Sequence, residues 1–331
     1  MSPTNRILRA GYNFLSRPIF ARISDFFLNL GYELRILIHN WFKIPARAPL
    51  VTVVVPVYNV QRYLGTCLRS LQAQNYPNLH VVAVDDGSTD RSRKIAQRFM
   101  KRMNLTILQQ PNGGISAARN NGVASIGQTD YLMFLDSDDS LAANAITELV
   151  RQAEKSGSDF VMADTRRTKG LVWVKRIDTR AVFAKGSIEK TNFAAHPAVI
   201  QDLTAWNRLF RWEFYKRNKI EFPPDRFFED FTTMAHALIA ADSFDVLDRT
   251  IYHWRIRTEG SASITQQASD EIKFTHRLQE LQKVKAMIEQ AILDGRANRA
   301  NLEAFSERVM RHDLKLHPDK LRELSALAKI D

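Results

Sequence analysis

An open α/β fold, with a mostly parallel sheet and helices on both faces, is what this sequence predicts, on three observations. Strand-like and helix-like segments alternate from Val51 onward at the spacing of βαβ units. Two of those strands stop abruptly at carboxylates: residues 81–90 read VVAVDDGSTD and residues 129–140 read TDYLMFLDSDDS. The 331 residues are 45% hydrophobic and 25% charged, enough apolar material for a large core. Ligands of such sheets bind outside the carboxyl ends of the parallel strands, so two acidic ends in one sheet suggest a metal-dependent nucleotide site.

Residues 1–49 precede the alternation. From Pro18 to Lys43, the apolar residues Ile19, Ile23, Phe26, Phe27, Leu30, Leu34, Leu37, Ile38 and Trp41 recur at spacings of three and four, one continuous helical stripe. Arg6, Arg9, Arg17, Arg22, Arg35, Lys43 and Arg47 stand against Asp25 and Glu33, so the segment is basic as well as amphipathic. Such a stripe packs on its own domain or a second subunit, or lies on anionic lipid headgroups; both readings stay open, packing being the commoner use. Glu33, Arg35 and His39 interrupt the apolar run, which argues against a secretory signal ending at Ala46-Arg47-Ala48.

Pro45 to Pro49 breaks the helical pattern, and Val51–Pro56 reads as the first strand. A helix over Gln61–Ala73, a strand over Leu79–Val84, a helix over Asp90–Met103 and a strand over Leu105–Gln109 follow. The alternation continues with a helix at Ile115–Ala124, a strand at Tyr131–Leu135, a helix at Ala142–Ser156 and a strand at Phe160–Ala163. Leu171–Ile177 suits a β edge, Trp206–Asn218 and Asp230–Ala241 read as helices, and Val246–Arg255 as extended chain. Ile272, Leu278, Leu281, Val284, Ile288 and Ile292 then mark a helix, with two shorter helical pieces divided near His317 and Pro318. The expected divisions are a basic helical segment at 1–49, an α/β body at 50–265 and a helical appendage at 266–331.

Charge and cysteine usage narrow the function classes. A net charge of +11 and a pI near 9.8 point to an anionic partner: nucleic acid, an acidic membrane surface or a phosphorylated substrate. No helix-turn-helix, RNA-recognition signature or zinc spacing supports a nucleic-acid partner. Cys67 is the single cysteine, which excludes an internal disulfide and a cysteine-based zinc site. No run of about eighteen apolar residues marks a spanning helix.

The acidic clusters carry the chemistry. Ser88, Thr89 and Asp90 are explained by capping a helix, but adjacent Asp85 and Asp86 repel and are easier to understand if one binds a ligand donor. Three carboxylates at Asp136, Asp138 and Asp139 resist joint ionisation unless a cation compensates, and hard oxygen ligands suit Mg2+ or Mn2+ on a substrate diphosphate.

Four blocks, VVVPVYN at 53–59, VDDGSTD at 84–90, GGISAARN at 113–120 and FLDSDDS at 134–140, resemble in order and spacing the family 2 glycosyltransferases of bacterial surface-glycan type. That resemblance implies the GT-A fold and an inverting transferase using a nucleotide-sugar donor, commonly a UDP-sugar. It places Pro56, Tyr58 and Asp86 at the nucleotide base, Arg119 and Asn120 beside the donor, and Asp136 and Asp138 on the metal. The pair Glu229-Asp230 resembles the family's ED pair, with Asp230 as the base; Tyr252–Arg257 followed by Gly260–Ser263 resembles a segment that brings His253, Arg255 and Arg257 to the diphosphate. Trp206–Phe210 also looks familiar, its aromatics suited to flooring an acceptor sugar or to the core. The expected partners are the donor, a glycan or lipid-linked acceptor, and an anionic membrane through residues 1–49, with room for a homodimer and no nucleic acid. The expected location is cytoplasmic or peripheral on the inner face of the plasma membrane. The competing readings are a basic nucleic-acid-binding protein and an inactive scaffold of the same fold.

Overall fold

A computed structural model describes residues 48–74, 76–169, 172–175, 179–257, 271–314 and 317–330. The amphipathic stripe at 18–43 and the Gly260–Ser263 stretch lie outside the described residues. The elements run β1 (Val51–Val57), α1 (Leu64–Gln72), β2 (Leu79–Asp86), α2 (Ser92–Phe99), β3 (Leu105–Gln110), α3 (Gly114–Ala124), β4 (Tyr131–Phe134), β5 (Ser140–Leu141) and α4 (Ala145–Ser156). They continue as β6 (Phe160–Lys169), β7 (Val172–Lys175), β8 (Ile188–Thr191), β9 (Arg208–Arg211), α5 (Trp212–Arg217), α6 (Asp230–Ala240), β10 (Phe244–Arg255), α7 (Glu271–Leu293), α8 (Arg299–Arg308) and α9 (Leu321–Leu327).

The described strands form one ten-stranded sheet in the order β3-β2-β1-β4-β9-β6-β10-β5, with β7 on β6 and β8 on β10. β1 is parallel to both β2 and β4, and β6 is parallel to β10. Every residue of β1 is buried, as expected of a parallel strand covered on both faces. Its side chains divide by the two-residue period: Val51, Val53, Val55 and Val57 enter one core with Leu64 and Leu68 of α1 and Leu149 of α4. Val54 enters the opposite core with Ala118 of α3, Met234 of α6, Leu281 of α7 and Phe305 of α8. The C-terminal helices therefore share a core with the sheet. Among the described residues, no helix is long and apolar enough to cross a membrane.

Trp206–Asn218, expected to be one helix, divides into β9 and α5. The short strand inserts antiparallel between β4 and β6, with Leu209 opposite Met133 and Val161, and Phe210 opposite Leu132 and Phe160. Burial between two strands outweighs the helical pattern, and four residues are too few to disclose a strand's alternation. The helix expected from Ala142 begins instead at Ala145, because Ser140–Leu141 pairs with β10 and Asn144 turns the chain at φ 59.

Candidate active site

Three strand tips stand level along one edge. Val57 pairs with Asp85, Asp86 with Gln110, and the Leu135 N–H donates to the Val54 carbonyl at 3.0 Å. The chain leaves β1 for β2 on one side and returns as β4 on the other, the switch point where an α/β crevice forms. A cavity of 720 Å³ opens there. Its lining includes Pro56, Tyr58, Asp86, Arg119, Asp136, Asp138, Glu229, Asp230 and Arg257, drawn from opposite ends of the chain.

The DDGS turn is braced by protein donors. Asp85 accepts from Arg93 Nε at 2.6 Å and from the Ser88 N–H at 3.0 Å. Asp86 Oδ1 accepts from the Gly113 N–H at 2.8 Å and Gln110 Nε2 at 2.7 Å, and Oδ2 from the Gly114 N–H at 2.9 Å. The adjacent carboxylates thus find partners within the protein, a solution the sequence alone did not disclose. Gly87 turns the chain at φ +76, where an added Cβ would meet the Asn112 nitrogen at 3.0 Å, so a side chain is excluded twice over. Asn59 Oδ1 accepts from the Thr89 N–H at 2.9 Å and ties the β1 loop to this turn. Tyr58, 49% exposed, presents a ring at the cavity mouth.

After β4 comes the acidic turn. Asp136 accepts from Arg119 Nη2 at 2.8 Å, Asp138 from Arg257 Nε at 2.7 Å, and Asp139 from the Tyr252 hydroxyl at 2.7 Å. Burial, then Asp138 and Asp136, push the Asp139 carboxyl well above its ordinary value. Burial also raises Asp136 against the opposing pull of Arg119. Below the turn lies buried Cys67, whose thiol burial and the same three carboxylates push up, so it stays protonated.

Arg119, 2% exposed, joins the two halves of the site. Its Nη1 donates to Glu229 Oε1 at 2.6 Å while Nη2 holds Asp136, and its guanidinium lies 4.9 Å from the centre of the Phe222 ring. Burial alone would lower its pKa; Asp136 and Glu229 outweigh burial and keep it charged. Glu229 precedes α6 and Asp230 opens it. Burial, followed by the Glu229 charge, pushes Asp230 up to about 7. A carboxyl held there can take a proton near neutral pH.

Three expected donor contacts are placed elsewhere. Asn120 is not among the cavity-lining residues; its side-chain amide clamps the Phe222 backbone, donating to the carbonyl at 2.8 Å and accepting from the N–H at 3.0 Å. Arg255 braces the acidic turn from behind: its N–H donates to Asp139 at 2.6 Å and its Nε to the Asp138 carbonyl at 2.8 Å. His253 pairs with Ser140 across β10 and β5, and strand alternation turns it away from the lining neighbour Trp254. Trp206, 5% exposed, stacks on Tyr252 at 4.1 Å between ring centroids and lines the cavity with Trp254, while Phe210 goes to the core. Arg277, Arg308 and His312 also reach the cavity wall. Nothing in the apolar periodicity of the C-terminal helices marked them, because a buried arginine on a core face breaks that pattern.

The donor chemistry of the acidic turn fits a divalent cation. Asp136 and Asp138 present carboxylate oxygens at the wall, 23% and 13% exposed, and three carboxylates share two arginine side chains, a hydroxyl and the Arg255 N–H. The described residues contain no group of three ligating side chains that could hold a metal. Mg2+ and Mn2+ commonly use one or two carboxylates and complete their shells with substrate oxygens and water.

Comparison with known proteins agrees with this architecture. The uncharacterized glycosyltransferase EpsJ of Bacillus subtilis is 30% identical over 219 residues, 62% of this chain and 61% of that relative. The matched stretch therefore spans about three-fifths of EpsJ. The crystal structure of Staphylococcus aureus TarS 1–349 in complex with UDP-GlcNAc superimposes with a TM-score of 0.69 at 23% identity, covering 82% of this chain and 75% of that one. The mannosyltransferase PcManGT of Pyrobaculum calidifontis, in complex with GDP-Man and Mn2+, gives a TM-score of 0.55 at 19% identity, covering 94% and 85%. Both show the GT-A fold. The family model for glycosyl transferase family 2 matches residues 52–218, half of the chain and all four strand-tip blocks, and the chain belongs to that family.

Proposed function

We propose that this protein is a metal-dependent, inverting glycosyltransferase that moves a sugar from a UDP-sugar to a hydroxyl of a glycan or lipid-linked acceptor. The observation that carries the reading is one cavity lined by Asp86, by the Asp136 and Asp138 carboxylates, and by Asp230 with its pKa near 7. The nucleotide sugars named for the TarS and PcManGT complexes, and the Mn2+ of the latter, support it.

Asp138 and Asp136 would hold the cation, which when bound supplies positive charge against the departing diphosphate. Arg257, paired to Asp138, adds a second cation on that wall. Asp86 Oδ2 accepts one hydrogen bond where its lone pairs allow two, leaving capacity for the N3–H of a uracil beside the Tyr58 ring. Asp230 takes the proton of the acceptor hydroxyl while that oxygen forms its bond to the anomeric carbon and the carbon–phosphate oxygen bond breaks. One displacement inverts the configuration. Arg119 fixes Glu229 beside the base and Asp136 on the donor side, so both halves keep one geometry. The basic N-terminal stripe supports a peripheral place on the inner, anionic membrane face.

Thermal unfolding with nucleoside diphosphates tests this directly. UDP with Mn2+ should raise the melting temperature well beyond either alone, with a gain of about 2.7 kcal/mol at a hundredfold excess over Kd. Equal stabilisation by GDP or ADP would overturn the uridine assignment; full stabilisation in EDTA would overturn the metal. Turnover across a UDP-sugar panel, with the product anomer read by NMR, tests transfer and inversion.

A further inference from the structure

The transfer mechanism leaves one charged cluster on the cavity wall unused. Arg277 of α7 and Arg308 of α8 both line the cavity that holds Asp230, and they are 3% and 6% exposed. One carboxylate serves the two. Arg277 Nε donates to Asp313 Oδ1 at 2.7 Å, whereas Arg308 Nε stands 3.8 Å from Asp313 Oδ2, beyond hydrogen-bond reach. Arg308 Nε is thus a buried donor with no hydrogen-bond partner, although Nη1 donates to the Gln201 carbonyl at 2.9 Å. Rings fill much of the remaining surroundings: Arg277 lies 4.7 Å from the Phe228 centroid and Arg308 4.6 Å from that of Phe231.

Two further carboxylates act on Arg308, Asp230 and Asp202. Asp202 is already taken by Thr204 and Asn207, and Asp230 is the group that loses its charge when it accepts a proton. For structure alone the second guanidinium supplies one hydrogen bond, to the Gln201 carbonyl. Arg277 and Asp313 close a pair by themselves, and an apolar side chain on Phe231 would pack without the desolvation that a part-compensated buried cation suffers. Paired guanidinium forks match the oxygens of a phosphate.

We propose that Arg277 and Arg308 form an acceptor subsite for a phosphate ester, so that the acceptor carries its phosphate close to the hydroxyl presented to Asp230. The subsite rests on the reading of Asp230 as the base. A neutral glycan would leave two guanidiniums sharing Asp313, with Arg308 Nε and Asp313 Oδ2 both lacking a hydrogen bond across a 3.8 Å gap.

Isothermal titration calorimetry of the full chain, saturated with UDP and Mg2+, tests it with three probes. These are sn-glycerol 3-phosphate for a polyol phosphate, geranyl diphosphate for a lipid diphosphate, and glycerol as the neutral control. A phosphate probe should bind where glycerol does not, and Arg308→Gln should weaken it by about tenfold or more while UDP affinity holds. Arg308→Lys should restore part of the loss, and the tighter phosphate probe identifies the source. Equal binding by wild type and Arg308→Gln, or glycerol binding as tightly as its phosphate, overturns the subsite. Should Arg308→Gln not fold, the wild-type contrast between glycerol and its phosphate, and its decline with salt, decides the matter. A failure of UDP to bind would sink the donor reading instead, and the phosphate contrast remains measurable without UDP.

Discussion

Asp230 is under two opposed demands, because burial and the neighbouring Glu229 charge hold a proton on the group that must be free of it to act as base. In the folded protein its pKa is about 7, against an unfolded value of about 3.9. Between those values the native state binds the extra proton, so stability contributed by this group falls as pH rises through the window. Activity runs the other way. kcat/KM should rise with pH through about 7, and Asp230→Asn should lose on the order of 10²–10⁴ in rate with UDP affinity intact. At pH 8 the same variant should be more stable than wild type in urea, by no more than about 4 kcal/mol. A flat pH profile together with retained turnover would move the base elsewhere. Arg119 makes the opposite case: Arg119→Met leaves Glu229 buried with no counter-charge and should cost about 3–5 kcal/mol in urea unfolding. A loss below 1 kcal/mol would mean that Glu229 is neutral at rest.

One helix, α3, organises the donor side. The N–H groups of Gly113 and Gly114, at its start, hold Asp86; Arg119 reaches Asp136 and Glu229; Asn120 fixes Phe222. All of this depends on how closely the helix sits on the sheet, and Gly122 sets that distance. A Cβ built there would stand 2.5 Å from Val54 Cγ1 and 3.1 Å from Val84 Cγ2. Gly122→Ala should therefore destabilise by about 1–3 kcal/mol and lower kcat as Arg119 shifts, despite the better helix propensity of alanine. Unchanged stability would show that the helix lifts without strain. The GGISAARN block was legible as a helix next to a nucleotide site, yet the separate tasks of Arg119 and Asn120 were not. Adjacent helical residues point about 100° apart, and only the packed structure shows which one meets the cavity.

The parallel half of the molecule could be read from the sequence because fully buried strands and their acidic tips are local signals. Beyond Arg180, α6, β10 and α7 were legible as well, but β8 and β9 were not, since they are four residues each and take their identity from pairings made far along the chain. The same holds for the cavity, where Arg277 and Arg308 come from helices whose apolar stripe gave no hint of them. Those helices are more than an attachment to the sheet. Phe274, Leu281, Val284 and Ile288 of α7 and Phe305 of α8 lie in one apolar cluster with Val54, Val82 and Leu132 of the central strands. Thr232 of α6 donates to Glu280 of α7 at 2.7 Å, and Asn301 of α8 to the Phe193 carbonyl at 2.7 Å. A shared core of that kind melts as a unit. Urea unfolding of the full chain, followed by tryptophan fluorescence and by far-ultraviolet dichroism, should give coincident single transitions. Ending the chain at residue 270 would bare the inner face of α6 and should leave an insoluble or cooperatively unfolded product without UDP binding. Two separated transitions, the first losing helix while UDP still binds, would show instead that the C-terminal helices form an independent unit.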